Sequence, residues 1–381
     1  MKEKEIVMSN LFEAANIGPM MLRNRFVRSA TWEAMATPEG AVTPRLVDTI
    51  AALAKGGVGL IISGHAYVRP EGQAGPMQMS AARDDLIPGL RQMADAAHQH
   101  GAKIVLQVAH AGYFAAHHLT GTPPCAVSAE VKLDDIPRKE LTAGDIGDIV
   151  HAFAAAAARG KAAGFDGVQI HSAHGYLLNQ FLSPLFNRRT DAYGGPLANR
   201  ARVHLETIRA VRQAVGPDYP VLIKVNGRDF AEGGLELEES VAAAVLMEPA
   251  GLDAVELSSG MTKFSRFGSA RTAITNQKKE AYSREEARAL KQRLKIPVIL
   301  VGGIRSLPVA EGLIAEGACD FISLCRPLIR EPDLVNRWQS GDRRKAACTS
   351  DNLCFGPARS GEGLYCVTAA KKREAAARKN G

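Results

Sequence analysis

The chain has 381 residues, 46% of them hydrophobic and 23% charged, with a formal net charge of +7. That is ordinary globular composition, and the length suits one large α/β barrel or two average domains, either of which can bury a full core. No stretch approaches the ~18 consecutive apolar residues of a membrane span, and the charged opening MKEKEIVMSN lacks the apolar run of a secretory leader, so a cytoplasmic protein is expected. Six cysteines are unremarkable for a reducing compartment. Much of the basic excess sits in the last segment, KKREAAARKNG, with five basic side chains and one acidic. This is the pattern of a solvated helix end, and no nucleic-acid-binding motif accompanies it.

In chain order, eight short apolar runs alternate with helical stretches: FVRSA (26–30), VGLIIS (58–63), KIVLQV (103–108), FDGVQI (165–170), PVLIKV (220–225), LDAVEL (252–257), PVILVG (297–302) and CDFISL (319–324). Continuous rather than alternating apolar runs suit strands covered on both faces, as in parallel sheets. Residues 142–164 predict a helix, opened by a capping box at Thr142 and Asp145 and closed at Gly164. Its stripe of Ile146, Ile149, Val150, Phe153 and Ala157 would face the sheet. Ser283 and Glu286 predict a second such start, and Gly101, Gly216 and Gly317 stand where helices should stop. Eight strand–helix alternations point to an α/β fold, a closed (β/α)8 TIM barrel, with a doubly wound open sheet as the rival. The expected organisation is one barrel over 1–340 with a short N-terminal lid on its bottom. A C-terminal extension, 341–381, holds a cysteine-containing segment and the basic tail and is not an independent domain.

Barrel active sites lie at the C-terminal strand ends. Those positions read Ser29-Ala-Thr31, Ser63-Gly64-His65, Gln107 with His110, His171/His174/Tyr176, Lys224 with Asn226, Ser258-Ser259, Gly302-Gly303 and Cys325-Arg326. So complete a ring of polar groups favours a ligand site over isolated satisfied residues. Carboxylates are missing from this mouth, which argues against paired-carboxyl hydrolysis. In QIHSAHGY, His171, His174 and Tyr176 could bind a metal, bind a substrate or fill a polar corner. An HxxH running from strand to loop, with no third ligand nearby, is a poor zinc site. The ring instead suits a planar, electron-accepting ligand and an oxyanion. VGGIRS (301–306) and CRPLIREPDL (325–334) place a glycine pair, an N-cap Ser306 and Arg326 where barrels commonly bind phosphate.

The segments LFEAANIGPMMLRNRFVRSAT, QVAHAG, QIHSAHGYLLNQFLSPLFNRRTDAYGG, VGGIRS and CRPLIREPDL together resemble the old yellow enzyme family of FMN-dependent ene-reductases, from about Leu11 to Trp338. The resemblance extends to the N-terminal barrels of 2-enoate and 2,4-dienoyl-CoA reductases. It implies FMN in the barrel mouth, NADH or NADPH as hydride donor, an activated alkene as substrate, and a homo-oligomer, with no nucleic-acid or membrane partner. Cofactor contacts would fall to Thr31, Gly64, Gln107, Lys224, Gly303, Cys325 and Arg326. Thr31 would meet the flavin C4 carbonyl and Gln107 the pyrimidine edge. Lys224 would stand near N1 and O2, where many relatives carry arginine; lysine keeps the charge and loses the fork. Gly303, Cys325 and Arg326 would bind the phosphate, Cys325 standing where relatives often have glycine. His171 and His174 would donate to the substrate carbonyl and Tyr176 would supply the proton. Left open are Tyr176 as a core aromatic and His174 as an orienting partner behind the clamp.

In CTSDNLCFGPARSGEGLYC (348–366), Cys348, Cys354 and Cys366 match three positions of a four-iron-cluster motif of longer relatives, and Asp351 takes the remaining one. Such clusters usually require four thiolates. Free structural thiols are therefore the favoured expectation, with a cluster as the alternative. Two further readings stand beside the ene-reductase: a flavin dehydrogenase of the trimethylamine-dehydrogenase type, and an iron–sulfur-containing enoate reductase subunit served by an electron-transfer partner.

Overall fold

The computed structural model describes residues 10–380; residues 1–9, most of the segment read for a leader, lie outside it. All eight runs form strands: β1 (Phe26–Arg28), β2 (Leu60–Ile62), β3 (Lys103–Ala109), β4 (Gly167–Ser172), β5 (Val221–Asn226), β6 (Ala254–Ser258), β7 (Val298–Val301) and β8 (Phe321–Leu324). Neighbours pair in parallel in chain order, and β8 pairs back onto β1. The sheet is therefore a closed barrel and not the doubly wound alternative. Among the described residues no helix is long and apolar enough to cross a membrane.

Helices α1 (Pro44–Lys55), α2 (Ile87–His98), α3 (Ala143–Ala162), α4 (Arg202–Val215), α5 (Leu237–Met247), α6 (Arg284–Lys291), α7 (Leu307–Ala315) and α8 (Leu334–Gln339) follow the strands in turn. The capping box of α3 forms: the Asp145 N–H donates to Thr142 Oγ1 at 3.1 Å and the Thr142 N–H to Asp145 Oδ2 at 2.9 Å. Such a cap contributes about 1 kcal/mol. The expected stripe of α3 is buried as read. The expected box at α6 does not form. Ser283 makes no capping bond and its Oγ is buried without a partner. Glu286 turns instead toward Gly227 and Arg228, its carboxylate 3.9 Å from the guanidinium.

Side-chain alternation divides each strand between two environments. Outward residues such as Leu106, Ile170, Ile223, Val225 and Val255 pack in the main core beneath the helices. Inward residues near the strand starts, Val27, Leu60, Ile62, Val105, Leu222, Ala254, Ile299 and Phe321, form a separate apolar plug. An antiparallel hairpin, Ala15–Ile17 with Met20–Leu22, closes this end by setting Ile17, Met20 and Leu22 against the plug. The N-terminal lid is thus where the sequence put it. With one end sealed by apolar contacts, any polar ligand must enter at the strands' C-terminal ends.

Candidate active site

Above the plug the inward positions become polar. One layer contains Ser29, Gln107 on β3, Gln169 on β4, Lys224 on β5, Glu256 on β6 and Ser323 on β8, all buried. The next contains His171, Asn226 and Ser258, two residues further along β4, β5 and β6. These layers floor a cavity of about 970 Å³. Thr31, His171, His174, Tyr176, Lys224, Gly303, Cys325 and Arg326 all line it. Gly64 and Gln107 lie behind its wall: Gly64 backs onto Glu33 and the Thr31 carbonyl, and Gln107 gives its amide to Gln169 Oε1 at 2.6 Å.

The imidazole pair and phenol come together at the end of β4. The ring centroids of His171 and His174 are 5.2 Å apart, and those of His171 and Tyr176 are 5.0 Å apart. His174 occupies the left-handed region at φ +64°, a conformation that costs free energy in a non-glycine residue. Its N–H donates to Asn226 Oδ1 at 3.1 Å, and its Nε2 lies 2.8 Å from Ser258 Oγ, so neighbouring strands hold the turn. The buried His171 Nδ1 has no partner. Burial first, then the neighbouring histidines and Lys224, hold the His171 pKa well below the usual value; burial, Lys224 and His65 do the same for His174. Both rings are neutral near pH 7, each with one N–H to donate. Burial pushes the Tyr176 phenol upward, so it stays protonated.

His65 is a third imidazole that the sequence placed at a strand end without a role. It stacks on His171 at 6.2 Å, contacts Tyr176 at 5.6 Å, and is lowered to about 4 by burial. Its Nδ1 lies 2.7 Å from Gln78 Nε2. Among the described residues no group of three or more His, Cys, Asp or Glu is arranged to hold a metal ion.

The reading of a mouth without carboxylates needs correction. Glu256, wholly buried, lies 3.1 Å from Lys224 Nζ and accepts from Ser29 Oγ, Ser323 Oγ and Gln169 Nε2 at 2.7, 2.8 and 3.0 Å. Burial raises the Glu256 pKa, but Lys224 and these hydrogen bonds outweigh it and leave it below the ordinary value. Glu33, beside Arg28, is raised to about 7 because burial exceeds the attraction of that guanidinium. Asp134 also lines the cavity, already paired with Arg138 at 2.5 Å.

The expected phosphate end needs a second correction. Ser306 does precede α7, but the Arg305 and Ser306 N–H groups donate to Glu280 Oε2 at 2.7 and 2.9 Å. A carboxylate of the chain itself thus occupies that helix start. Gly303 remains, with φ +69° and no room for a Cβ beside the Tyr282 ring, together with Arg326. Arg326 is steadied by the Arg271 carbonyl at 2.8 Å and Asn352 Oδ1 at 2.6 Å. Cys325 has φ −118° and ψ −87°, neither a regular helical nor an extended pair, and its sulfur lies 3.1 Å from Thr31 Oγ1.

The segments after β3 and β6 form the cavity's upper wall through Tyr113, Phe114, Asp134, Arg138, Thr262 and Lys263. Phe114 stacks on Phe264 at 6.1 Å and joins the two. The cysteine-containing segment also returns to the mouth, where Ser350, Asn352, Phe355 and Arg359 line the cavity. Burial raises the thiol of Cys348, and that of Cys354 to about 12. Cys366 accepts from Arg330 at 3.7 Å. The Asp351 carboxylate is engaged by Thr349, Thr368 and the Leu353 N–H at 2.7, 2.6 and 3.1 Å. The segment itself supplies three cysteines, and Cys325 at the mouth is near enough to raise the Cys354 thiol further.

The family model for NADH:flavin oxidoreductases and NADH oxidases matches residues 10–345. The chain belongs to this family. It is the old yellow enzyme family, whose cofactor is FMN and whose hydride donors are NADH and NADPH. An NADH oxidase of Thermoanaerobacter brockii is 38% identical over 356 residues, covering 91% of this chain but 54% of the relative, so the chain spans about half that protein's length. Among solved structures, a complex of 2-naphthoyl-CoA reductase with 2-naphthoyl-CoA superposes with a TM-score of 0.88 at 30% identity, covering 94% of this chain and 56% of the other. Morphinone reductase in complex with tetrahydroNAD gives 0.74 at 27% identity, covering 87% and 91%. The residues present fit the family's cofactor. A cation stands in the floor, an unpartnered buried imidazole nitrogen in the wall, and a glycine with an arginine at the far side.

Proposed function

We propose that the protein reduces the C=C bond of α,β-unsaturated carbonyl compounds, drawing hydride from NADH or NADPH. The observation that supports this most is the clamp at the end of β4: two neutral imidazoles and a protonated phenol, with His171 lacking any protein partner at Nδ1. Bound FMN would carry the hydride from the nicotinamide to the β-carbon. Lys224 would face its N1 and O2, Thr31 and Gln107 its pyrimidine edge, and Gly303, Cys325 and Arg326 its phosphate. His171 and His174 would donate N–H bonds to the substrate carbonyl oxygen and stabilise the negative charge that develops there. Tyr176 would deliver its proton to the α-carbon. Because both histidines are already neutral, lowering the pH from about 7.5 to about 6 should leave substrate affinity free of a histidine titration. A step near 6.5 would contradict this arrangement.

The cavity's charge speaks against amine oxidation. Asp134, already paired, is its only carboxylate among the described residues, facing Arg138, Lys224, Lys263, Arg305, Arg326 and Arg359. Among the described residues no unpaired carboxylate lines the cavity to receive a cationic amine. The direct test is anaerobic reduction of the FMN-loaded protein by NADH and by NADPH, followed by mixing with cyclohexenone. Rapid reoxidation is expected; no reoxidation by the enone, with the oxidised flavin reduced by an amine instead, would overturn the reading. His171→Ala should weaken binding of a phenol to the oxidised holoenzyme by about tenfold or more, the scale of a hydrogen bond to a charged oxygen. Unchanged affinity would remove His171 from the clamp. Iron and labile-sulfide analysis of anaerobically prepared protein should find neither, and stoichiometric iron would restore the cluster.

A further inference from the structure

Glu256 is a wholly buried carboxylate placed directly under the cofactor site, and the reaction gives it no step. Removing it from water is costly unless every lone pair is engaged. Here each is: Lys224 Nζ lies at 3.1 Å, and Ser29, Ser323 and Gln169 all donate to it. The bond from Gln169 fixes more than the carboxylate. A carboxylate only accepts, so the Gln169 NH2 must face Glu256 and its carbonyl must face away. That carbonyl takes the Gln107 NH2 at 2.6 Å, which leaves the Gln107 carbonyl oxygen as the acceptor its amide offers elsewhere. A charge on β6 thereby sets, through β4, the orientation of an amide on β3.

We propose that Glu256 is a positioning residue for the cofactor, offsetting the charge of Lys224 and, through Gln169, fixing the Gln107 amide with its oxygen free to accept the flavin N3–H. The inference rests on the reading that bound FMN turns its pyrimidine edge toward Lys224 and Gln107. Two effects separate it from a purely structural role. With Glu256→Gln the cation is no longer offset, so negative charge on the reduced cofactor is better stabilised. The reduction equilibrium of bound FMN should shift at least tenfold toward the reduced form, a rise of about 30 mV for a two-electron couple.

Gln169→Met keeps the side-chain volume and removes the relay without touching either charge. It should raise the FMN dissociation constant about tenfold. Because it also leaves a Glu256 lone pair and a Gln107 N–H unpaired, the unfolding midpoint should fall, so affinity is read on protein that circular dichroism shows to be folded. It also provides the test if Glu256→Gln does not fold. Both measurements use the full chain loaded with FMN: the potential by equilibration with reference dyes, the affinity by fluorescence titration. A potential in Glu256→Gln that is unchanged or lower overturns the charge-offset role, and wild-type affinity in Gln169→Met overturns the relay. Wild-type protein that binds no FMN removes the underlying reading, and this inference with it.

Discussion

Tyr176→Phe should slow the reoxidation of the reduced protein by an enone about 10²–10³-fold, the usual worth of a positioned general acid. Reduction of the same variant by NADH or NADPH should stay within about twofold of wild type, because no proton from the protein is needed when hydride arrives. The expectation follows from position. Tyr176 starts a short helix, Leu177–Leu182, directly after β4, and its ring is held edge-on between His65 and His171. Phenylalanine preserves those ring contacts and removes only the O–H, so folding should be nearly unaffected. Stopped-flow measurement of the two half-reactions separates the roles. Equal losses in both would show that Tyr176 is a packing residue and that the proton comes from elsewhere.

Acid should unfold the protein steeply. His65 and His110 are lowered to about 4 and His204 to about 3, in each case chiefly by burial, and His171 and His174 lie well below 6.5. In the unfolded chain all five protonate near 6.5, so below that pH the unfolded state binds more protons and stability falls with pH. The loss runs from about 6.5 down through the folded values. Glu33, raised to about 7, acts in the opposite direction, since the folded state keeps a proton that the unfolded state releases above about 4.5. Asp145, lowered to about 2, contributes to the loss only at lower pH. The net expectation is a loss of stability as pH falls from about 6.5, at about 1.4 kcal/mol per pH unit for each unbalanced proton. Urea midpoints between about pH 7 and about pH 5 check this; a flat profile would mean that the histidines are hydrated or protonated in the folded state. His204 lies behind β4, its Nε2 2.8 Å from Ser172 Oγ. His204→Gln should shallow the slope by about one proton without altering the cofactor site.

The barrel was legible because its strands are buried on both faces, which forces continuous apolar runs and leaves polar residues to mark the open ends. The same rule placed His171, His174, Tyr176 and Lys224 at the mouth. Glu256 was harder to see. Within LDAVELSSG a single acid in an apolar strand reads as an isolated core polar group, and its partner Lys224 belongs to the preceding strand. The signal available was their equivalent place: Lys224 and Glu256 each stand two residues before a polar strand end, in adjacent parallel strands, and so on one inward-facing row. Glu280 at the start of α7 was not legible, since that contact depends on how the segment after β6 folds back. Nor was the return of residues 350–359 to the mouth. That placement rests on tertiary contacts such as the Leu364 N–H to the Glu33 carbonyl at 2.8 Å, which leave no periodic trace in sequence.

The most direct test of this account is the visible absorption spectrum of the purified 381-residue chain after incubation with FMN and gel filtration. One tightly held flavin per chain, perturbed when a phenol is added, is the predicted result. A colourless protein, or a flavin whose spectrum ignores the phenol, would contradict a cofactor lying across the barrel mouth beside His171 and His174.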